Sequence, residues 1–167
     1  VEVPAVTFAE LRGKKDGTPL KTILEYAEEK GLSTGVLSNV SIADATPAAC
    51  YSQANDRGKW GEIFLQVFSP RFGDGVDVLI GGGRERIVKQ VKDLGKDGEQ
   101  VAAAAGRPMY ASLDAWPAGE KRGIVVTDGD FDLAEAARRA IRNLSANRKG
   151  VFLMIESDAH RNKPDAG

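Results

Sequence analysis

Three side chains that could bind a metal ion or a phosphate lie before and along a predicted helix. Asp44 and Thr46 place a carboxylate and a hydroxyl just before this helix, and hard divalent cations prefer such oxygen ligands. Thr46 is a typical N-cap, and Pro47 suits the first helical position, where its missing N–H needs no partner. Arg57 lies about three turns further along the predicted helix, or just past its end. Its planar guanidinium can bind a phosphate through two parallel hydrogen bonds, so the group favours a metal-assisted phosphoryl site.

A second group of candidate ligands follows the last predicted strand. Glu156, Asp158 and His160 occupy alternate positions, so all three side chains face the same way in an extended chain. Two carboxylates and an imidazole suit a divalent metal ion. His160 is the sole histidine of the chain, and a lone histidine is often an ordinary surface residue. Both interpretations of His160 stay open at this point.

The residue types alone also leave simpler roles open for the first group. Asp44 and Thr46 would serve equally well as helix caps, and a solvent-exposed position is the usual fate of an arginine such as Arg57. The run Gly81–Gly83 lacks the spacing of a phosphate-binding loop and indicates a tight turn after a strand. The run 127–130 (Thr-Asp-Gly-Asp) is more typical of a turn than of a cation loop.

Strands and helices alternate along the predicted chain. The predicted strands are 34–40, 76–80 and 151–155, and residues 124–126 form either a short strand or part of a loop. The first predicted helix opens at Thr18-Pro19 and ends at Gly31, and the others cover 46–56, 60–68, 84–94, 97–107 and 132–146. Residues 1–18 and 109–120 have no predicted element. This alternation predicts an α/β fold, an open and mostly parallel sheet with helices on both faces, with residues 1–167 in one domain.

Such a sheet would position both groups of candidate residues. In open α/β sheets, functional residues follow the carboxyl ends of the strands. The first group follows strand 34–40 and the second follows strand 151–155. If these two strands are neighbours, both groups meet at one edge of the sheet.

Composition excludes several classes of protein. The 167 residues are 42% hydrophobic and 28% charged, which is ordinary for a globular domain. The net charge of −1 gives no basic field for nucleic acid. No apolar run approaches the roughly 20 residues of a membrane span, and Val1–Pro4 has no features of a signal peptide. Cys50 is the sole cysteine, so no intrachain disulfide forms, and we expect a buried, inert thiol.

Four sequence segments together resemble the alkaline phosphatase family, and the resemblance spans roughly residues 18 to 160. The metal- and phosphate-binding segment of that family resembles the run Thr34–Ser41, then Asp-Ala-Thr-Pro-Ala-Ala at 44–49, then Arg57. The helix before it resembles residues 19–27, the family's strand and glycine turn resemble 77–84, and the strand with a metal-binding glutamate resembles 150–156.

The resemblance implies an αβα sandwich and a role for each candidate residue. Thr46 would bind Mg²⁺, Asp44 would bind it directly or through water, and Glu156 would be a third ligand. Arg57 would hold the substrate phosphate. In better-known members an aspartate follows the glutamate by five residues and a histidine follows four later, but Arg161 and Asp165 stand there. The compact Glu-x-Asp-x-His form resembles a less typical bacterial branch, in which Asp158 and His160 would be candidate Zn²⁺ ligands.

The resemblance further implies phosphate monoester hydrolysis with two zinc ions and a phosphoserine intermediate. The family's Asp-Ser-Ala nucleophile motif and a second histidine are absent from this sequence. We therefore expect the chain to be the middle part of a larger catalytic domain, inactive in isolation, within a periplasmic or secreted protein for which a homodimer is one candidate assembly. The alternative hypothesis is a catalytically silent domain that binds a metal or phosphate. A third, a phosphomutase or sulfatase-like enzyme, is disfavoured by the Asp-Ala-Thr-Pro-Ala-Ala run.

Overall fold

A single parallel sheet organises the computed structural model, which describes residues 19–158. Within this part of the chain the sheet has five strands, in the spatial order β3-β4-β2-β1-β5, and every neighbouring pair is parallel. The strands are β1 (Ser33–Ser41), β2 (Val78–Gly82), β3 (Met109–Tyr110), β4 (Gly123–Thr127) and β5 (Val151–Glu156). The predicted open parallel sheet is confirmed.

Helices cover both faces of this sheet, also as predicted. The helices are α1 (Ile23–Glu29), α2 (Ala45–Tyr51), α3 (Trp60–Leu65), α4 (Arg84–Asp93), α5 (Gly98–Ala104) and α6 (Leu133–Leu144), with a short 3₁₀ turn at Gln66–Phe68. Alternate strand residues enter two separate cores, because successive side chains of a strand point to opposite faces. Val36 packs with buried residues of α3 and α4, whereas its neighbour Leu37 packs with α6 and Trp116.

The first helix begins later than the sequence analysis predicts. Residues 19–22 are not helical, and Thr22 is the N-cap of α1. The Thr22 hydroxyl accepts a hydrogen bond from the N–H of Glu25, and the Glu25 carboxylate accepts one from the N–H of Thr22. This reciprocal capping box satisfies two backbone donors, whereas a helix opened by Pro19 has no such arrangement.

Other elements also differ from prediction, and helix α5 ends at Ala104 rather than 107. Helix α2 ends at Tyr51 rather than 56, because Ser52 is extended and its hydroxyl donates to the carbonyl of Ala48. The segment predicted to be irregular contains β3, which pairs with β4 through Met109 and Tyr110. Residues 123–127 form a fully buried strand, which settles the ambiguity over 124–126.

Strand β5 lies at one edge of the sheet. Among the described strands it pairs with β1 and with no other strand. Its apolar side chains Val151 and Ile155 are 37% and 45% exposed, although all five residues of β4 are buried. This strand therefore presents an apolar, partly solvated edge.

Candidate functional site at the carboxyl edge of the sheet

The two groups of candidate residues follow neighbouring strands. β1 and β5 pair in parallel, with Ser38 opposite Glu156 in the register. Both strands therefore end at the same edge, and the condition set by the sequence analysis is met. Helix α2, which follows β1, contacts β1 and β5. The start of α2 and the end of β5 belong to one region of the surface.

The carboxylate of Glu156 is oriented by the neighbouring strand. The fully buried hydroxyl of Ser38 donates a 2.7 Å hydrogen bond to Oε2 of Glu156. The same hydroxyl accepts a 3.3 Å bond from the N–H of Val40, which fixes its position. A half-buried carboxylate held in this way presents its remaining lone pairs in a defined direction.

Electrostatics connect Glu156 to helix α2. Burial, with a smaller contribution from the negative charge of Glu156, raises the pKa of the Cys50 thiol to about 11. The thiol is therefore protonated at neutral pH, which agrees with the predicted inert cysteine, although the residue is half-buried rather than buried. Cys50 lies one turn after Thr46, and its Sγ is 3.8 Å from the Thr46 carbonyl oxygen. Positions i and i+4 share a helix face, so Thr46 and Cys50 stand on the same face of α2.

Asp44, not Thr46, is the N-cap of helix α2. Its Oδ1 accepts a 2.8 Å hydrogen bond from the N–H of Ala45, and its own carbonyl accepts the first helical bond, from Ala48. Thr46 is the second helical residue and is exposed, and Pro47 is the third rather than the first. A proline is still tolerated at the third position, because the first four N–H groups of a helix have no partner within it.

Arg57 lies beyond the end of α2, in the turn before α3. Its Nη2 forms an ion pair and hydrogen bond with Oδ1 of Asp44, so the fold brings together two residues that are 13 positions apart. The Asp44 side chain is 18% exposed and the Arg57 side chain is 45% exposed. The guanidinium thus has a fixed partner on one side and remains accessible to a ligand.

Asp158 lies near the same edge, two residues after β5 ends. It is buried, and its N–H donates a 2.8 Å hydrogen bond to Oδ1 of Asn39 on β1. The Asn39 side chain therefore ties the segment after β5 to the end of β1. His160 lies outside the described residues.

Glycines allow the strands to approach closely at this edge. A Cβ at Gly81 would lie 2.6 Å from Cγ2 of Ile42 and 2.8 Å from the carbonyl oxygen of Ser38. The register between β1 and β2 shifts after Leu37, and the N–H of Ile42 donates to the carbonyl of Gly82. Gly81 and Gly82 belong to β2, whereas the sequence analysis assigns them to a turn. Their lack of side chains gives room for the β1 segment that leads to Asp44.

The oxygen donors at this edge fit a hard cation better than zinc. Asp44, Thr46 and Glu156 offer carboxylate and hydroxyl oxygens, which suit Mg²⁺. Zinc prefers nitrogen and sulfur ligands, and His160, the one histidine of the sequence, lies outside the described residues. Within residues 19–158, no group of three or more histidine, cysteine, aspartate or glutamate side chains could hold a metal ion.

Sequence reasoning missed the residues that support this site. Ser38 and Asn39 belong to the run that resembles a phosphatase segment, but their hydrogen bonds depend on the β1–β5 register. That register is a long-range property, and no local pattern predicts it.

The fold and this edge define an open α/β domain with acidic and basic groups after adjacent strands, the arrangement of sheet-edge ligand sites. A family model described as alkaline phosphatase matches residues 6–109. The chain belongs to the alkaline phosphatase family.

Curated relatives and solved structures agree with this family. Alkaline phosphatase 4 of Bacillus subtilis is 29% identical over 85% of the chain, and the streptomycin-6-phosphate phosphatase of Streptomyces griseus is 34% identical over 83%. The alkaline phosphatase of the Antarctic bacterium TAB5 has a TM-score of 0.73 at 24% identity over 89% of the chain and 46% of its own. A mutant of that enzyme, solved with Mg bound in its M3 site, has a TM-score of 0.71 at 26% identity, over 89% of the chain and 45% of its own.

The chain covers a limited part of these relatives. It spans 33% of the length of the Bacillus protein and 44% of the Streptomyces protein. None of the helices between residues 19 and 158 has the length and apolar character needed to cross a membrane.

Proposed function

We propose that the protein carrying this chain hydrolyses phosphate monoesters, and that the chain supplies its phosphate-binding arginine and a magnesium site. One observation supports this most directly. The Asp44–Arg57 pair and the Ser38–Glu156 pair stand at the carboxyl ends of adjacent parallel strands, within a chain of the alkaline phosphatase family.

Arg57 is the group that binds substrate in this proposal. Its guanidinium can donate two parallel hydrogen bonds to the non-bridging oxygens of a phosphate. Asp44 accepts from one nitrogen of Arg57 and thereby limits the orientations that the exposed side chain adopts. The positive charge of the guanidinium can stabilise the negative charge of the reacting phosphoryl group.

Asp44, Thr46 and Glu156 would hold Mg²⁺ in the proposed site. A bound Mg²⁺ would supply positive charge and could acidify a water molecule. The Ser38 hydroxyl holds Oε2 of Glu156 through its hydrogen bond. A relative solved with Mg bound supports a magnesium site in this fold. Asp158 and His160 are the zinc ligands that we propose for this chain. The remaining ligands of two zinc ions, and the nucleophilic serine, would lie elsewhere in the protein.

The remaining proposals concern the whole protein. The partial coverage of the relatives supports a chain that forms part of a larger catalytic domain, and we propose that it is the middle part. The proposed hydrolysis reaction proceeds through a phosphoserine intermediate. We propose a periplasmic or secreted location, where members of the family commonly work, and a homodimer as one candidate assembly.

The decisive experiment compares the whole protein with the 167-residue chain. We expect the whole protein to hydrolyse a chromogenic phosphate ester, to lose activity on metal chelation, and to regain it with Mg²⁺ and Zn²⁺. The isolated chain should stay at background, because it contains no Asp-Ser-Ala nucleophile motif.

Two results would contradict these expectations. Metal-dependent turnover by the pure chain would show that its nucleophile has gone unrecognised. A whole protein that binds phosphate or Mg²⁺ but hydrolyses no monoester would favour the catalytically silent alternative.

A further inference from the structure

The turn that carries Arg57 is held at both ends by glutamine side chains. This turn, residues 52–59, connects α2 to α3, and Asn55, Asp56 and Arg57 are all exposed. Inside the turn, the N–H of Gly58 donates a 2.7 Å bond to Oδ1 of Asp56. Such a local bond shapes the turn but does not fix its place on the domain.

Gln66 fixes the first end of the turn. Its Oε1 accepts a 2.9 Å hydrogen bond from the N–H of Gln53, and its Nε2 donates a 2.9 Å bond to the carbonyl of the same residue. One side-chain amide thus pairs with both backbone groups of Gln53, as a neighbouring strand would. The amide is half-buried, so water competes poorly for these bonds.

Gln90 of helix α4 fixes the second end through backbone groups of two residues. Its Nε2 donates a 3.0 Å bond to the carbonyl of Gly58, and its Oε1 accepts a 2.8 Å bond from the N–H of Gly61. Nη2 of Arg86 donates to the same Gly58 carbonyl at 3.2 Å, and the Arg86 guanidinium lies 4.0 Å from the centre of the Trp60 ring. Helix α4 therefore holds the residue that directly follows Arg57.

We propose that Gln66 and Gln90 are positioning residues for Arg57: together they fix the 52–59 turn so that the guanidinium is in place before phosphate arrives. A ligand that meets a pre-ordered arginine has less conformational freedom to remove on binding. The inference rests on the proposed function of Arg57 in phosphate binding. It adds two residues that do not touch the ligand and act through the backbone.

The test uses Gln66→Met and Gln90→Met in the whole protein, because methionine keeps the side-chain length and removes the hydrogen bonds. Inorganic phosphate is the probe. We expect its apparent Kd to rise about 3- to 10-fold in each variant, since a smaller fraction of molecules holds Arg57 in the competent position. KM for a chromogenic phosphate ester should rise by a larger factor than kcat falls. Amide exchange across residues 54–60 should quicken in the phosphate-free protein.

Gln100→Met is the matched control, because Gln100 is an exposed glutamine on α5, away from the turn. It should leave the Kd for phosphate and amide exchange in the turn unchanged. In an Arg57→Ala background, Gln90→Met should cause no further loss of phosphate affinity, because the residue it positions is gone.

The outcomes separate the inference from the function on which it rests. If Arg57→Ala weakens phosphate binding but both methionine variants bind like wild type, the inference alone is wrong. If Gln90→Met lowers phosphate affinity by the same factor with and without Arg57, then Gln90 acts on the stability of the fold in general and not through Arg57. The inference is again wrong. If Arg57→Ala binds phosphate normally, the proposed function fails first and the inference fails with it.

Discussion

At the scale of single residues, Asp44 makes two contacts through one carboxylate oxygen. Its carboxylate caps helix α2 through the N–H of Ala45, and the same Oδ1 meets the guanidinium of Arg57. A carboxylate can do both because each oxygen has two lone pairs. Helix capping at Asp44 is therefore compatible with the proposed role in ligand binding.

Replacing Arg57 with alanine should affect binding far more than folding. In the whole protein, we expect weaker inhibition by inorganic phosphate and a higher KM, at a cost of about 1.5–3 kcal/mol for a lost charged hydrogen bond. Stability should change little, because an ion pair with an exposed arginine contributes about 0–1 kcal/mol. Inhibition kinetics and thermal melting measure the two effects separately.

Arg57→Lys provides the matched control for charge. Lysine keeps the positive charge but loses the planar fork, so it should recover only part of the phosphate affinity. An Arg57→Ala protein with normal phosphate affinity and a lowered melting temperature would identify Arg57 as a structural residue.

At the scale of elements, the close contact between β1 and β2 determines where Asp44 lies. Gly81 faces backbone atoms of β1 from inside β2, with the carbonyl oxygens of Ser38 and Val40 within 2.9 Å of a Cβ placed there. Backbone cannot move aside as a flexible side chain can. The β1 segment that leads to Asp44 therefore depends on the absence of a side chain at this position.

We expect Gly81→Ala to lower the free energy of unfolding by about 1–3 kcal/mol, the usual range for overpacking a tight core. Gly129→Ala is the control, because a Cβ there would meet only the Thr127 hydroxyl at 3.7 Å. Urea unfolding of the two variants measures the difference. Equal stabilities would mean that β1 can shift to accept the methyl group at little cost.

Elements with strong local patterns could be predicted from the sequence, and those with long-range causes could not. The apolar run of β5 and the spacing of α6 gave bounds within two residues of those observed. The start of α1 could also be predicted, since Thr22 and Glu25 form a capping-box pattern in the sequence. Strand β3 could not be predicted from the sequence, because its two residues form a strand only through pairing with β4.

The candidate site divides in the same way. Its candidate residues Asp44, Arg57 and Glu156 can be proposed from residue type and a family resemblance. Their supports Ser38 and Gln90 make contacts to residues 118 and 32 positions away, which no local spacing predicts.

At the scale of the whole molecule, a buried charged cluster lies at the opposite, amino edge of the sheet. Glu28 accepts a hydrogen bond from the Thr34 hydroxyl, and Asp77 accepts one from the Thr34 N–H at 2.9 Å. Nε of Arg122 donates to Asp77 at 3.1 Å, and the buried Arg107 donates to the carbonyl of Val67. The cluster joins α1, three strand starts and the segment before β3.

Burial is the main cause that raises the pKa of both Glu28 and Asp77 above their ordinary values of 4.5 and 3.8. A carboxyl with a raised folded-state pKa contributes stability that is fully present below its unfolded pKa. That contribution is lost as pH rises through the folded pKa. The sign is opposite to that of a carboxylate held ionised by a salt bridge.

Glu28→Gln should therefore gain stability relative to wild type as pH rises from about 4 through the raised pKa. Melting temperatures of both proteins across this range measure the difference. Glu135→Gln is a control of opposite sign, because hydrogen bonding to Arg138 lowers the pKa of Glu135. If the difference between Glu28→Gln and wild type stays constant with pH, Glu28 does not titrate in this range.

The edge position of β5 has a practical consequence for anyone who prepares the 167-residue chain. Among the described strands β5 is paired on one side, and such a strand, with Val151 and Ile155 partly solvated, can template the addition of another chain. We expect the chain to aggregate as its concentration rises, and Ile155→Lys to keep it monodisperse in sedimentation velocity because a charged side chain blocks edge-to-edge growth. If the wild-type chain and Ile155→Lys aggregate equally, a surface other than the β5 edge is responsible for the aggregation.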